Sequence, residues 1–203
     1  MQPNIKKARI AAWLATVLAF ASLASFAQAA TFSGQAVGVR ASAVGVSLTV
    51  SDTGALPSSG GSLNTSVASV NVLGLVSAEV LGSSTSGSGS SSQSQSAVAS
   101  LNLLGGLVTA DLVKSNSSAS CSSAQASVTG NSQLVSLVVA GQPILTSNPN
   151  VAISAPGGIS VIVNEQTSSS GGNSGSMTVN ALHVTGPSID IVVSSAHSDI
   201  TCP

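Results

Sequence analysis

The chain has 203 residues, 43% hydrophobic, 5% charged and 2% aromatic, with a formal net charge of −1 and a mean hydropathy of +0.48. That is too apolar for a disordered chain, which is poor in Val, Leu and Ile, and far below the roughly 25% of charged residues in an ordinary soluble domain. The composition excludes a coiled coil, a typical charged cytosolic enzyme and a nucleic-acid binder, whose phosphate partners need clustered Lys and Arg.

Lys6, Lys7 and Arg9 precede an uncharged apolar run from Ile10 to Phe26, and Ala27-Gln28-Ala29 follows as an A-x-A site. Basic, apolar and small-residue regions in that order make a secretory signal peptide, so cleavage is expected after Ala29. The apolar run is 17 residues long, at the short end for a membrane span, and no later stretch is apolar for long enough. Residues 1–29 carry Trp13, Phe20 and Phe26, which leaves Phe32 as the sole aromatic of a single domain over 30–203. That domain keeps two cations (Arg40, Lys114) and six acids (Asp52, Glu79, Asp111, Glu165, Asp190, Asp199), a net charge of −4. Its core must come from Val, Leu, Ile and Ala, and its expected location is extracytoplasmic, secreted or at the cell surface.

The mature chain shows period two rather than a helical period. Val37, Val39 and Ala41 alternate in one phase, and Val44, Val46, Leu48 and Val50 in the other. A one-residue slip turns every side chain over, so a bulge or bend is expected at Ala43-Val44. Asp52-Thr53-Gly54 and residues 57–61 read as turn and loop. Residues 67–80 then align with 98–112 at an offset of 31, becoming 32 after one extra Gly. Each copy is a strand, a Gly bend and a second strand, with an acid at a matching place (Glu79, Asp111). Two copies fall short of the array a solenoid needs and suit adjacent hairpins equally well. The Ser/Gly tracts 82–96 and 115–127 read as flexible linkers or loop tips. Residues 134–140, apolar in both phases, predict a central strand covered on both sides. Residues 159–164, 177–184 and 189–193 predict further strands, with a flexible loop over 167–176. About ten short strands with Gly, Ser, Asn and Pro punctuation indicate an all-β fold. We expect a two-layer antiparallel β-sandwich, with a β-solenoid as the alternative.

Cys121 and Cys202 are the only cysteines. In an oxidising compartment two cysteines most simply pair, and closing a loop of this length contributes roughly 4 kcal/mol in the chain-entropy model. The groups able to do chemistry gather late in the chain: Glu165, His183, Asp190, His197 and Asp199. Their spacing matches no H-x-x-x-H or H-E-x-x-H pattern, and no G-x-S-x-G elbow occurs. His183 alternates out of phase with Leu182 and Val184, so it should face solvent or a loop. Asn164-Glu165-Gln166 reads as a strand terminus. No catalytic residue, cofactor or metal site is assigned, and one aromatic is too few for sugar stacking. The expected function is an exported structural or interaction domain that meets an envelope or matrix component, with no nucleic-acid partner. One alternative is a self-assembling matrix or fibre subunit, because edge strands with few charges are poorly protected against pairing. The other is an extracellular enzyme of unknown type.

A family resemblance runs through residues 105–111 (GGLVTAD), 140–143 (AGQP), 164–166 (NEQ), 179–184 (VNALHV) and 195–198 (SAHS). Over about residues 33 to 202 the chain resembles the choice-of-anchor P family. The resemblance implies a bacterial exported protein with one extracellular domain, in a family whose members differ in their C-terminal sorting anchors. It brings no catalytic residues. This sequence ends at Cys202-Pro203 without an LPxTG-type motif, so export without such an anchor is the expectation.

Overall fold

The computed structural model describes residues 29–43, 45–72 and 74–203; the expected signal peptide lies outside them except for Ala29. Thirteen strands fill the described residues: β1 (Thr31–Ala43), β2 (Val46–Asp52), β3 (Gly61–Val72), β4 (Val76–Ser88), β5 (Ser91–Leu103), β6 (Val108–Ser122), β7 (Gln125–Val135), β8 (Val138–Val139), β9 (Gln142–Pro143), β10 (Val151–Ala155), β11 (Ile159–Gly171), β12 (Ser174–Gly186) and β13 (Ile189–Thr201). One sheet runs β10-β11-β12-β13-β1-β2, and the other runs β3-β4-β5-β6, with β7 and then β8-β9 sharing the far edge of β6. All pairings are antiparallel. The sheets stack face to face with β2 over β3, β1 over β4 and β5, β13 over β5 and β6, and β12 over β6 and β7. This is the expected two-layer antiparallel sandwich.

The repeat at offset 31 is two successive hairpins, β3–β4 turning at Gly74 and β5–β6 turning at Gly105-Gly106. They are neighbours in one sheet, joined through β4 and β5.

Both sheets are creased across their strands. In the first sheet the ladder steps over Ser51, Gly38, Ser194, Ala181 and Asn164, one position in each of five adjacent strands. Ser51, Ser194 and Asn164 have φ of 55°, 55° and 53°, the left-handed region, and each ladder skips one residue on both strands so that the register is kept. In the second sheet the ladder shifts at Val80 and Ser100, each with φ 50°, and steps over Asp111. Each crease flips the phase of the buried residues. On β4 it passes from Val76 and Ala78 to Leu81 and Ser83, and on β5 from Val98 to Leu101.

The crease divides the interior into two halves of different chemistry. On one side lies an aliphatic core that includes Val39, Leu103, Val161, Leu182, Ile191 and Val193, and it reaches just across the crease to Leu81, Val98 and Val113. On the other side the residues facing inward from β4, β5 and β6 are chiefly Ser and Thr, with Gly34, Ala36, Met177, Val179 and Ala196 among those opposite them. Ser115 Oγ lies 3.0 Å from Ser194 Oγ, and Ser117 Oγ 2.9 Å from Ser198 Oγ. Ser92 donates to the Ser33 carbonyl at 2.6 Å, and Ser94 to the His197 carbonyl at 2.6 Å. Ser194 donates to the Ser96 carbonyl at 2.9 Å. Within the second sheet, Thr85 and Ser94 (2.8 Å) and Ser83 and Ser96 (3.1 Å) share further bonds. A buried hydroxyl is tolerated when it is bonded, and these are. Short side chains let the sheets approach closely. A Cβ on Gly34 would fall 2.5 Å from Thr85 Oγ1, and one on Gly130 would fall 2.4 Å from Met177 Cε.

The far end is plugged by Phe32, Leu56, Ala119 and Ile200, with Leu63, Cys121, Ala126 and Val128 packed around them. There Cys121 on β6 and Cys202 just beyond β13 are bonded, their Cα atoms 5.6 Å apart, so the expected pair bridges the two sheets. Cys202 N also donates to the Asn173 carbonyl at 2.6 Å.

Several expectations are corrected. The Ser/Gly tracts 82–96 and 115–127 are not linkers: they form much of β4, β5 and β6 and the start of β7, because alternate serines find partners across the interior. Residues 134–140 do not form a central strand. They split into the end of β7, a left-handed Ser136 (φ 55°) and β8, all at a sheet edge. Residues 167–176 are the ends of β11 and β12 rather than a loop, and Asn164-Glu165-Gln166 lies within β11 rather than at its end. At Ala43 the chain reverses through Gly45 (φ 82°) into β2, a hairpin turn rather than a bulge; Val44 lies outside the described residues.

Candidate functional site

Each sheet has an outward face, and they differ. On the first sheet, β11, β12 and β13 place the residues singled out from the sequence side by side. Register sets Glu165 opposite Asn180, and Thr185 opposite Asp190. His183 Nδ1 lies 3.0 Å from both Glu165 carboxylate oxygens, so Nδ1–H donates to Glu165. Asn180 Nδ2 donates to Glu165 Oε2 at 2.6 Å. Burial pushes the Glu165 carboxyl up, but the hydrogen bonds from Asn180 and His183 and the charge on His183 outweigh it, and the net shift is below the usual 4.5. His183 Nε2 is buried without a hydrogen-bond partner, 3.4 Å from Asp190 Oδ1. His197 belongs to a separate group, with Nδ1 2.9 Å from Thr178 Oγ1 and Nε2 3.1 Å from Asp199 Oδ2.

His183 therefore does face outward as its phase predicts, but under carboxylates rather than open to solvent. Its side chain is 20% exposed. Its register neighbours are Ile162 and Val192, and among the described residues no hydroxyl hydrogen-bonds its Nε2. Among the described residues no group of three or more His, Cys, Asp or Glu side chains is placed to hold a metal ion. Glu79 and Asp111, the paired acids of the repeat, are both exposed near the crease of the second sheet.

The outward face of the second sheet was not singled out from the sequence. Two rows cross β4, β5, β6 and β7 in register: Ser84, Gln95, Asn116, Asn131, and Ser86, Gln93, Ser118, Thr129. Neighbouring strands stand about 4.8 Å apart, so each row spans about 14 Å. These eight residues line a shallow depression of about 540 Å³, floored by Ser94, Ser117 and Gly130. All eight side chains are hydroxyls or carboxamides, and none carries a charge. Among the described residues none of the eight hydrogen-bonds to another side chain or to the backbone, whereas the inward serines of β4, β5 and β6 do; on β7 the inward Ser132 Oγ is buried without a partner. Lys114 sits one row away, in register with Ala97 and Gln133. The sequence signal for this face is the alternation itself. In Ser92-Gln93-Ser94-Gln95-Ser96 the serines point in and the glutamines out.

Among the described residues no helix is long and apolar enough to cross a membrane. The chain matches no family model, no curated protein and no solved structure.

Proposed function

We propose that the chain is an exported, non-catalytic interaction domain, secreted or held at the cell surface, whose contact is the hydroxyl and carboxamide face of β4–β7. Its partner in this reading is a neutral, polyhydroxylated polymer of the envelope or matrix. The observation that carries the reading is the set of eight uncharged side chains with free donors and acceptors, converging on one depression. Hydroxyl and amide groups each offer both donor and acceptor capacity, which complements sugar hydroxyls. An ionic ligand would leave its charge unanswered on this face. Export is supported by the order of basic, apolar and A-x-A segments and by a cysteine pair suited to an oxidising compartment. The choice-of-anchor P resemblance points the same way.

The test uses the secreted product, whose intact mass should begin at Ala30. It is sedimented with insoluble neutral polysaccharide from a bacterial envelope, alongside the triple variant Gln95→Ala, Asn116→Ala, Asn131→Ala. The wild type should co-sediment and the variant should be retained at least about tenfold less, as expected when several bonds of about 1 kcal/mol are lost together. Equal retention of both, or retention of neither, overturns the reading.

A further inference from the structure

On one side of the sandwich both sheets end in a bare, nearly uncharged strand. β3 has twelve residues without a charge or a proline, and among the described residues its sole strand partner is β4. Above it lies β2, whose sole strand partner among the described residues is β1 and whose one charge, Asp52, is at its end. One side-chain bond reaches the β3 backbone from β2, from Ser51 Oγ to the Thr65 carbonyl at 3.4 Å. The inward residues of these strands are half covered. Leu48, Val50, Val67 and Val70 pack on the aliphatic core but stay partly exposed, and Val46 is 47% exposed.

The opposite side is guarded. Its edge in the second sheet is broken into β7, β8 and β9, with Ser136 left-handed between the first two and Pro143 in the last. In the first sheet β10 is only five residues long. Beyond it Asn150 closes the edge of β11, accepting from Gln166 N at 2.8 Å and donating to the Gln166 carbonyl at 3.3 Å. Interrupted strands, prolines and side-chain covers are the usual protections of a sheet edge; β3 has no break and no proline and only the long Ser51 contact on its backbone, and β2 has only the left-handed Ser51 beside its last residue.

We propose that the β2/β3 side is the interface of a closed two-fold dimer of this chain. A two-fold axis normal to the sheets runs β3 antiparallel to β3 of the second copy and brings the two β2 strands to the same seam. β3 is about 40 Å long at strand rise, which offers one continuous ladder, and the pairing completes the cover over Val67 and Val70. The occupant is a second copy because the seam is self-complementary under that axis. An isologous contact uses the same patch twice and closes, and the seam presents alternation and neutrality to an identical strand. The guarded far side stops growth at two. This goes beyond the interaction reading above and does not rest on it, since the polymer face lies on β4–β7.

The test is the solution mass of the oxidised chain 30–203 from micromolar to hundreds of micromolar, by light scattering. Ser66 and Ser69 are exposed near the middle of β3, so Ser66→Lys with Ser69→Lys sets like charges across the seam without touching the core. The wild type should have twice the chain mass, the double variant one chain mass at the same melting temperature, and the control Ser118→Lys on β6 twice the chain mass. Hydrogen exchange on the wild type reads the same seam without a variant: amides of β2 and β3 should gain protection with concentration, and those of β7 and β10 should not. A monomeric wild type, a double variant that still dimerises, or a mass that grows without limit overturns the proposal.

Discussion

Ser94 sits at the centre of the hydroxyl half of the interior, 4% exposed, and replacing it with Ala tests that layer directly. The substitution removes the 2.6 Å bond to the His197 carbonyl, the 2.8 Å bond with Thr85 Oγ1 and a longer 3.4 Å contact from Ser198 Oγ. Two short bonds at about 1 kcal/mol each, with a carbonyl and a hydroxyl left short of a partner, amount to roughly 2–3 kcal/mol. For a domain of this size that lowers the melting temperature by roughly 5–10 °C. Ser94→Val should be worse. A Cβ placed on Gly34 would already lie 2.9 Å from Ser94 Oγ, so two γ-carbons overfill the gap between the sheets, at a further cost of about 1–3 kcal/mol. Ser84→Ala, outward on the neighbouring strand, should change stability by no more than about 0.5 kcal/mol. Calorimetry on the oxidised chain 30–203 measures all three. A Ser94→Ala protein that melts with the wild type, or a Ser94→Val protein that melts higher, would show that hydroxyl pairing does not hold this half together.

Reduction of Cys121–Cys202 frees a loop of sequence separation 81, for which the chain-entropy model gives about 4.5 kcal/mol. The reduced protein, or the Cys121→Ser, Cys202→Ser variant, should melt about 10 °C lower, and a shift of a degree or two would contradict this. Glu165 has a lowered pKa in the folded chain, so its contribution is present above the ordinary value of 4.5 and is lost as pH falls through the lower folded value. Thermal melts from neutral pH downward should show wild type losing stability relative to Glu165→Gln below about pH 4.5. Parallel curves would refute that sign.

Fold class and cysteine pairing were legible because they rest on strong local signals: period-two runs such as Val46–Val50, two neighbouring hairpins with Gly turns, and two cysteines with no other partner. The serine tracts were misread for a definite reason. Ser-Gly composition signals flexibility when hydroxyls bond to water, and here they bond across a narrow interior that only the facing strand reveals, as Ser117 does with Ser198. The creases had a signal that alternation analysis can find, the three-residue spacings Ala78 to Leu81, Val98 to Leu101 and Ala110 to Val113 between buried positions. The splitting of residues 134–140 had none, since an apolar run reads the same at an edge as at a centre. The grouping of Glu165, His183 and Asp190 was visible as proximity in sequence, while their contacts came from strand register. The hydroxyl and carboxamide face of β4–β7 was missed because its rows exist only once four strands align.

The most direct measurement is a nitrogen-15 chemical-shift map of the folded chain titrated with a soluble neutral oligosaccharide. The interaction reading predicts side-chain amide and backbone shifts concentrated at Gln93, Gln95, Asn116, Ser118 and Asn131, with the His183 and His197 region still. Shifts concentrated around Glu165, His183 and Asp190, or no shifts at saturating sugar, would contradict it.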